Sequence, residues 1–189
     1  MTDYFALLEQ PRMPWLDPAA LKEVFHRKTL EQHPDATAAG SEDRFAELNA
    51  AYQALQDPKR RLDHLLSLEN RAPAANQTVP PELQELFLDL AAFKQRADLL
   101  LGKIQTASNA LSRSLFKPEM IALQNDLAVW RQKLRGLVDS ATEQLREINP
   151  HWLSDRVTQM AALTSLYLRF AYLSRWSEQL DEIAFQLSL

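Results

Sequence analysis

Beyond residue 81 the chain contains two prolines, Pro118 and Pro150, and they part the remainder into three proline-free stretches, 82–117, 119–149 and 151–189. Proline inside a helix removes a backbone hydrogen bond and clashes with the preceding turn, so stretches this long without it leave room for long continuous helices. Each carries one apolar stripe. Leu83, Leu86, Leu90, Phe93, Ala97 and Leu100 run on to Ile104, Ala107 and Leu111 in the first. Met120, Leu123, Leu127, Trp130, Leu134 and Leu137 run on to Ala141, Leu145 and Ile148 in the second, and Leu163, Leu166, Phe170, Leu173, Leu180, Ile183 and Leu187 form the third. Steps of three and four are the period of one helix face. At 1.5 Å per residue each helix is roughly 40–50 Å long. Three such stripes bury one another in an antiparallel three-helix bundle. Gly102 and Gly136 fall within two of these helices, as points of close approach or as tolerated glycines.

The N-terminal part is punctuated more closely. Asp17-Pro18 and Asp57-Pro58 each place a capping carboxylate before a proline at the first helical position. Ser41 follows Gly40 and precedes Glu42 and Asp43, acids that complement a helix N-terminus. Short helices are expected at about 3–9, 18–32, 41–56 and 58–68. The polar, proline-bearing run that ends at Pro80 has no apolar period and reads as a linker. The expected organisation is all-α, with a first domain over 1–70, a linker over 71–80 and a C-terminal three-helix bundle over 81–189.

Composition removes several functional classes. Cysteine is absent, which excludes disulfides, thiolate nucleophiles and Cys-based metal or cluster sites, and three glycines leave no phosphate-cradling loop. The four histidines are dispersed, so no metal site and no cofactor is expected. Residues 1–70 hold 8 basic and 12 acidic side chains and the rest are balanced, so nucleic acid is not an expected partner. No apolar run approaches the ~18 residues of a membrane span. Met1–Gln10 lacks the basic-then-apolar pattern of a secretory signal, so a cytoplasmic location is expected.

His33-Pro34-Asp35 lies between the second and third expected helices. Pro34 disfavours the helical conformation at His33 and withholds an N–H, so the tripeptide falls at the tip of a helical hairpin. There an imidazole and a carboxylate can engage a partner, or can merely cap helix ends. A catalytic His/Asp pair has no accompanying nucleophile or oxyanion donor in this sequence, so no enzymatic activity is expected.

At these residues the chain resembles the J-domain co-chaperones. Leu21-Lys22-Glu23-Val24-Phe25-His26-Arg27 resembles the family's basic second helix, with Leu21, Val24 and Phe25 inward and Lys22, His26 and Arg27 outward. Phe45, Leu48, Asn49, Ala51, Tyr52, Leu55, Asp57 and Pro58 match the F-x-x-[IL]-N-x-A-Y-x-x-L-x-[DH]-P run of its third. A narrower likeness, to the HscB co-chaperones of iron–sulfur cluster assembly, rests on Arg61-Leu62-Asp63-His64-Leu65-Leu66-Ser67-Leu68, on Trp152, and on Leu168-Arg169-Phe170 followed by Leu173.

The resemblance implies a J-domain, an antiparallel helical hairpin with its HPD turn and short flanking helices, joined to a three-helix bundle. It implies that His33, Pro34 and Asp35 dock on the ATPase of a DnaK- or HscA-type chaperone, with Lys22 and Arg27 adding favourable charge. Lys28 and Gln32 stand where the family usually has leucine and tyrosine, and Glu31 where many members are basic. Lys28 is expected to snorkel, and the helix is less basic than usual. The implied scaffold-binding patch, for an IscU-type protein, falls on Leu86, Phe87, Leu90 and Phe170, with Ala91 and Lys94 where acids are expected. Leu86, Leu90 and Phe170 also lie on core stripes, whereas Phe87 and Leu88 are out of phase and suit an exposed contact, with Glu85 and Asp89 as neighbouring acids. A second reading gives the bundle another client or a homo-oligomer contact. Trp130, Trp152 and Trp176 are expected to pack in cores or against loops, and His64 and His151 have no partner visible in sequence.

Overall fold

A computed structural model describes residues 2–31, 41–70, 79–107 and 109–188. Every regular element among them is helical: α1 (Tyr4–Leu7), α2 (Pro18–Glu31), α3 (Ser41–Gln56), α4 (Pro58–Leu68), a 3₁₀ turn (Pro81–Leu83), α5 (Gln84–Thr106), α6 (Ala110–Ser114), α7 (Lys117–Trp152) and α8 (Arg156–Gln186). The chain is all-α, as its periodicity predicts. It divides into two compact units, one of 1–77 with 141–170 and the other of 78–140 with 171–189.

In the first unit the caps fall where the sequence places them. Asp17 Oδ1 accepts the Ala19 N–H at 2.9 Å, and Asp57 Oδ1 accepts the Arg60 N–H at 2.8 Å, each ahead of a proline that opens its helix. Asp3 caps α1 by accepting from the Phe5 and Ala6 N–H groups. The hairpin of α2 and α3 closes through Leu21, which is buried, and through Phe25, stacked on Tyr52 with ring centroids 4.2 Å apart. Leu48, Ala51 and Leu55 of α3 are buried, as are Leu62, Leu65 and Leu66 of α4. Arg61 is buried too, donating from Nε to the Pro14 carbonyl at 2.8 Å and from a terminal guanidinium nitrogen to the Leu55 carbonyl at 2.7 Å.

Residues 141–170 belong to this same unit. The indole N–H of fully buried Trp152 donates to the Arg12 carbonyl at 2.9 Å, Asn149 Oδ1 accepts the Trp15 N–H at 2.9 Å, and Arg156 pairs with Glu69 at 2.8 Å. The Arg146 guanidinium lies 5.0 Å from the centroid of the Trp15 ring.

In the second unit α5, α7 and α8 converge on one core. Leu86, Leu90, Phe93 and Ala97 meet Leu123, Leu127 and Leu134, and both meet Leu173, Trp176, Leu180 and Ile183. Most of the predicted stripe residues between 83 and 134 and between 173 and 187 are in this core, with Ile104, Met120, Trp130 and Leu137 partly buried against it.

Three predicted boundaries move. The stretch 82–117 is not one helix: α5 ends at Thr106, and Asn109 opens α6 by accepting the Ser112 N–H at 2.8 Å. Leu111, expected on the stripe, is exposed as a result. Pro150 does not end α7, which continues to Trp152. A proline so near a helix C-terminus forfeits one bond of the ladder, and the last turn survives. Then α8 starts at Arg156, with Asp155 accepting the Thr158 N–H at 3.3 Å.

Candidate functional site

Two surfaces carry the residues singled out by sequence. The first is the outward face of α2. Leu21 is buried against the hairpin, whereas Lys22 and His26, four residues apart on one face, are exposed to solvent. Lys22 makes no ion pair among the described residues. Arg27 is half-exposed and pairs with Glu9, and its Nε is 3.9 Å from Glu31. The side chain of Lys28 is 19% exposed, and its Nζ reaches Glu9 at 2.7 Å. Lys28 therefore snorkels as expected, laying its stem along the hairpin and presenting its ammonium to a carboxylate. His33, Pro34 and Asp35 of the HPD turn, and Gln32 before it, lie outside the described residues.

Glu9 is positioned by the end of α1. The Gln10 N–H donates to the Phe5 carbonyl at 2.8 Å and the Glu9 N–H to the Ala6 carbonyl at 3.2 Å, the paired bonds of a Schellman motif, with Glu9 in the left-handed region at φ 52°. The hydrogen bond from Lys28, and then the charges of Lys28 and Arg27, hold the Glu9 carboxyl below its ordinary pKa.

The second surface lies on α5 and α8. Leu86 and Leu90 are buried in the core of their unit, and Phe170 is buried in the first unit. Phe87 is 44% exposed and Leu88 68% exposed, so the out-of-phase residues are those that reach solvent. Phe87 borders a groove of about 590 Å³ with Ala91, Lys94, Asp98, Leu99, Tyr172, Arg175 and Trp176. Its ring centroid is 6.5 Å from that of Trp176. The groove is an apolar floor with two cations and one acid at its edges, an arrangement suited to holding a protein segment and lacking the convergent acid–base groups of a catalytic pocket. Among the described residues no cluster of His, Asp or Glu could hold a metal ion, and no helix is long and apolar enough to cross a membrane.

His64 and Glu9 have roles that no sequence pattern marks. His64 is buried, stacked on Tyr4 at 4.5 Å and on Phe5 at 5.7 Å, and its Nε2 accepts the Tyr4 backbone N–H at 3.0 Å. Burial lowers its pKa, against the opposing charges of Asp3 and Asp63. Only the Arg61–Leu68 resemblance pointed to His64, and nothing in the sequence marked Glu9.

Comparison with known proteins supplies the context. Residues 3–64 match the DnaJ domain family. The chaperone protein DnaJ of Caulobacter vibrioides is 38% identical over 63 residues, 32% of this chain and 16% of that protein. The chain thus spans about a sixth of the length of that DnaJ relative. The likeness to a co-chaperone protein HscB homolog of Paraburkholderia phymatum is longer, 29% identical over 148 residues, which is 75% of this chain and 80% of that one. The structure of chaperone HscB from Vibrio cholerae superposes with a TM-score of 0.52 at 22% identity, covering 98% of this chain and 99% of the other. The fold is the HscB fold. The chain thus carries a DnaJ-domain match over residues 3–64, and its likeness to the HscB co-chaperones extends over three quarters of its length.

Proposed function

We propose that the chain is a co-chaperone that stimulates ATP hydrolysis by a DnaK- or HscA-type chaperone and delivers to it an iron–sulfur scaffold protein of the IscU type. The observation that carries this reading is the DnaJ-domain match over 3–64, which contains His33, Pro34 and Asp35, within a chain similar to HscB over 75% of its length. In this reading 1–70 acts as the J-domain, 71–80 links, and 81–189 binds the scaffold. Asp35 pairs with an arginine of the chaperone, a charge-assisted contact stronger than a neutral hydrogen bond. Lys22 and Arg27 add attraction along α2. The scaffold engages Phe87 and the groove beside it, with Leu86 and Leu90 holding α5 in the core beneath, and Phe170 is the further residue of α8 assigned to this role. The chain is not itself an enzyme; it acts in the cytoplasm on the ATPase of its partner.

One observation favours a second reading. The groove presents Lys94 and Ala91 where the HscB pattern has acids, so the bundle could take a different client, or a second copy of itself, while the J-domain still acts.

Steady-state ATPase of the DnaK-type chaperones, with and without the scaffold protein, separates the two. Stimulation that is lost in His33→Gln and grows more than additively with scaffold is the expected result. Stimulation indifferent to scaffold would leave the second reading, and no stimulation of any chaperone would refute both.

A further inference from the structure

Glu9 occupies a position that disfavours a side chain. It is the left-handed residue of the Schellman motif ending α1, at φ 52°, where glycine is the usual occupant because a Cβ crowds the following carbonyl. A strained residue of this kind invites the question of what its side chain supplies. Here the carboxylate meets two cations of α2, Arg27 and Lys28. Arg27 and Lys28 are so neutralised, whereas Lys22, on another face of α2, makes no ion pair among the described residues. The neutralising acid comes from another element, so it can be withdrawn without unfolding α2.

We propose that Glu9 is an internal counter-ion that competes with the carboxylates of a chaperone partner for Arg27 and Lys28, and so sets the rate and selectivity of docking on α2. This rests on the reading of α2 as a chaperone-docking helix. A partner acid approaching Arg27 must displace the Glu9 carboxylate or lie beside it, and like charges brought together oppose docking. A partner with a dense acidic patch tolerates that opposition and a weakly acidic one does not. Glu9 is ionised near neutral pH as any exposed glutamate is, and the Lys28 hydrogen bond lowers its pKa further.

The test is association of the full chain with a purified DnaK-type chaperone in its ATP state, followed by stopped flow across a salt series. Glu9→Gln removes the charge with the same shape. Glu9→Gly also removes it and suits the φ of 52°, so it carries the test should Glu9→Gln lower the melting temperature. Glu182→Gln on α8 makes an equal change in net charge and serves as control. The expected result is association roughly two- to fivefold faster for both Glu9 variants at low salt, with the difference fading as salt screens it. In an Arg27→Ala, Lys28→Ala background the gain should vanish. Unchanged or slower association in folded variants, or an equal gain in Glu182→Gln, would overturn the proposal while leaving the co-chaperone reading intact. Binding by the Glu9 variants alone would be the proposal in its strongest form. Binding by neither wild type nor variants would overturn both.

Discussion

His64 shows how a single residue's role depends on what surrounds it. Its Nε2 accepts a backbone N–H and its ring is sandwiched against Tyr4 and Phe5, so the neutral form fits the site and a proton on Nε2 would expel the Tyr4 hydrogen bond. The charged groups nearby pull in both directions: Asp3, 4.0 Å away, and Asp63 favour protonation, while Arg12 opposes it. Burial is the largest influence and lowers the pKa below 6.5. The unfolded chain therefore binds the proton first as pH falls, and stability depends on pH with the sign of that difference. His64 contributes its full stabilisation above pH 6.5 and loses it as pH falls through its folded pKa. The melting temperature should drop from pH 7.5 toward 5.5, and NMR titration should place the His64 imidazole below 6.5. A titration above 6.5 would show Asp3 outweighing burial. Arg61 is a companion case: burial lowers its pKa to about 10, with Asp57 opposing, so it remains a cation that binds two carbonyls. Neither role was legible from pattern, because arginine and histidine on a helix are ordinarily surface residues, and only family resemblance marked the run containing them.

At the scale of helices, legibility followed the physics of caps and stripes. Asp17-Pro18 and Asp57-Pro58 name their helices unambiguously, since a capping carboxylate and a preset φ serve no other element so well. The core stripes were equally clear, from Leu83 to Leu100 and from Leu163 to Leu187. The break between α5 and α6 was not, because Asn109 reads as an ordinary polar residue until its side chain turns to the Ser112 N–H. Pro150 misled in the other direction, ending the helix on paper while the chain carries it inside α7. The glycines resolve in favour of the plainer reading. A Cβ at Gly102 or Gly136 would meet nothing within 4 Å, so neither allows a close approach. In the middle of α7, Gly136→Ala should then stabilise the protein by about 0.5–1 kcal/mol, through lower backbone entropy in the unfolded chain. Urea denaturation measures it, and a destabilised variant would reveal a bend or contact that depends on the glycine.

For the molecule as a whole, the least legible fact is which distant residues return to the N-terminal helices. Composition marks a polar linker near residue 75, but it carries no sign that 141–170 completes the unit begun by 1–77. The links are side chains meeting backbone far away in sequence: Asn149 with Trp15, Trp152 with Arg12, Arg156 with Glu69. Trp152 reads in sequence as a core or loop-packing residue, and it is both: buried, and bonded to the loop after α1. It is fully buried and its indole N–H has one acceptor, the Arg12 carbonyl, so two terms separate by substitution. Trp152→Phe keeps most of the apolar contact and should cost about 1–2 kcal/mol, from the lost hydrogen bond and a small void. Trp152→Ala should cost about 3–5 kcal/mol, as expected for emptying a core site of this size. Chemical denaturation of the full chain, followed by a probe in α3 or α4, reads the effect where it matters. A loss near the larger figure would mean that the N-terminal helices draw stability from residues 141–170. A Trp152→Ala cost below about 1 kcal/mol would mean that this side chain is dispensable to the unit.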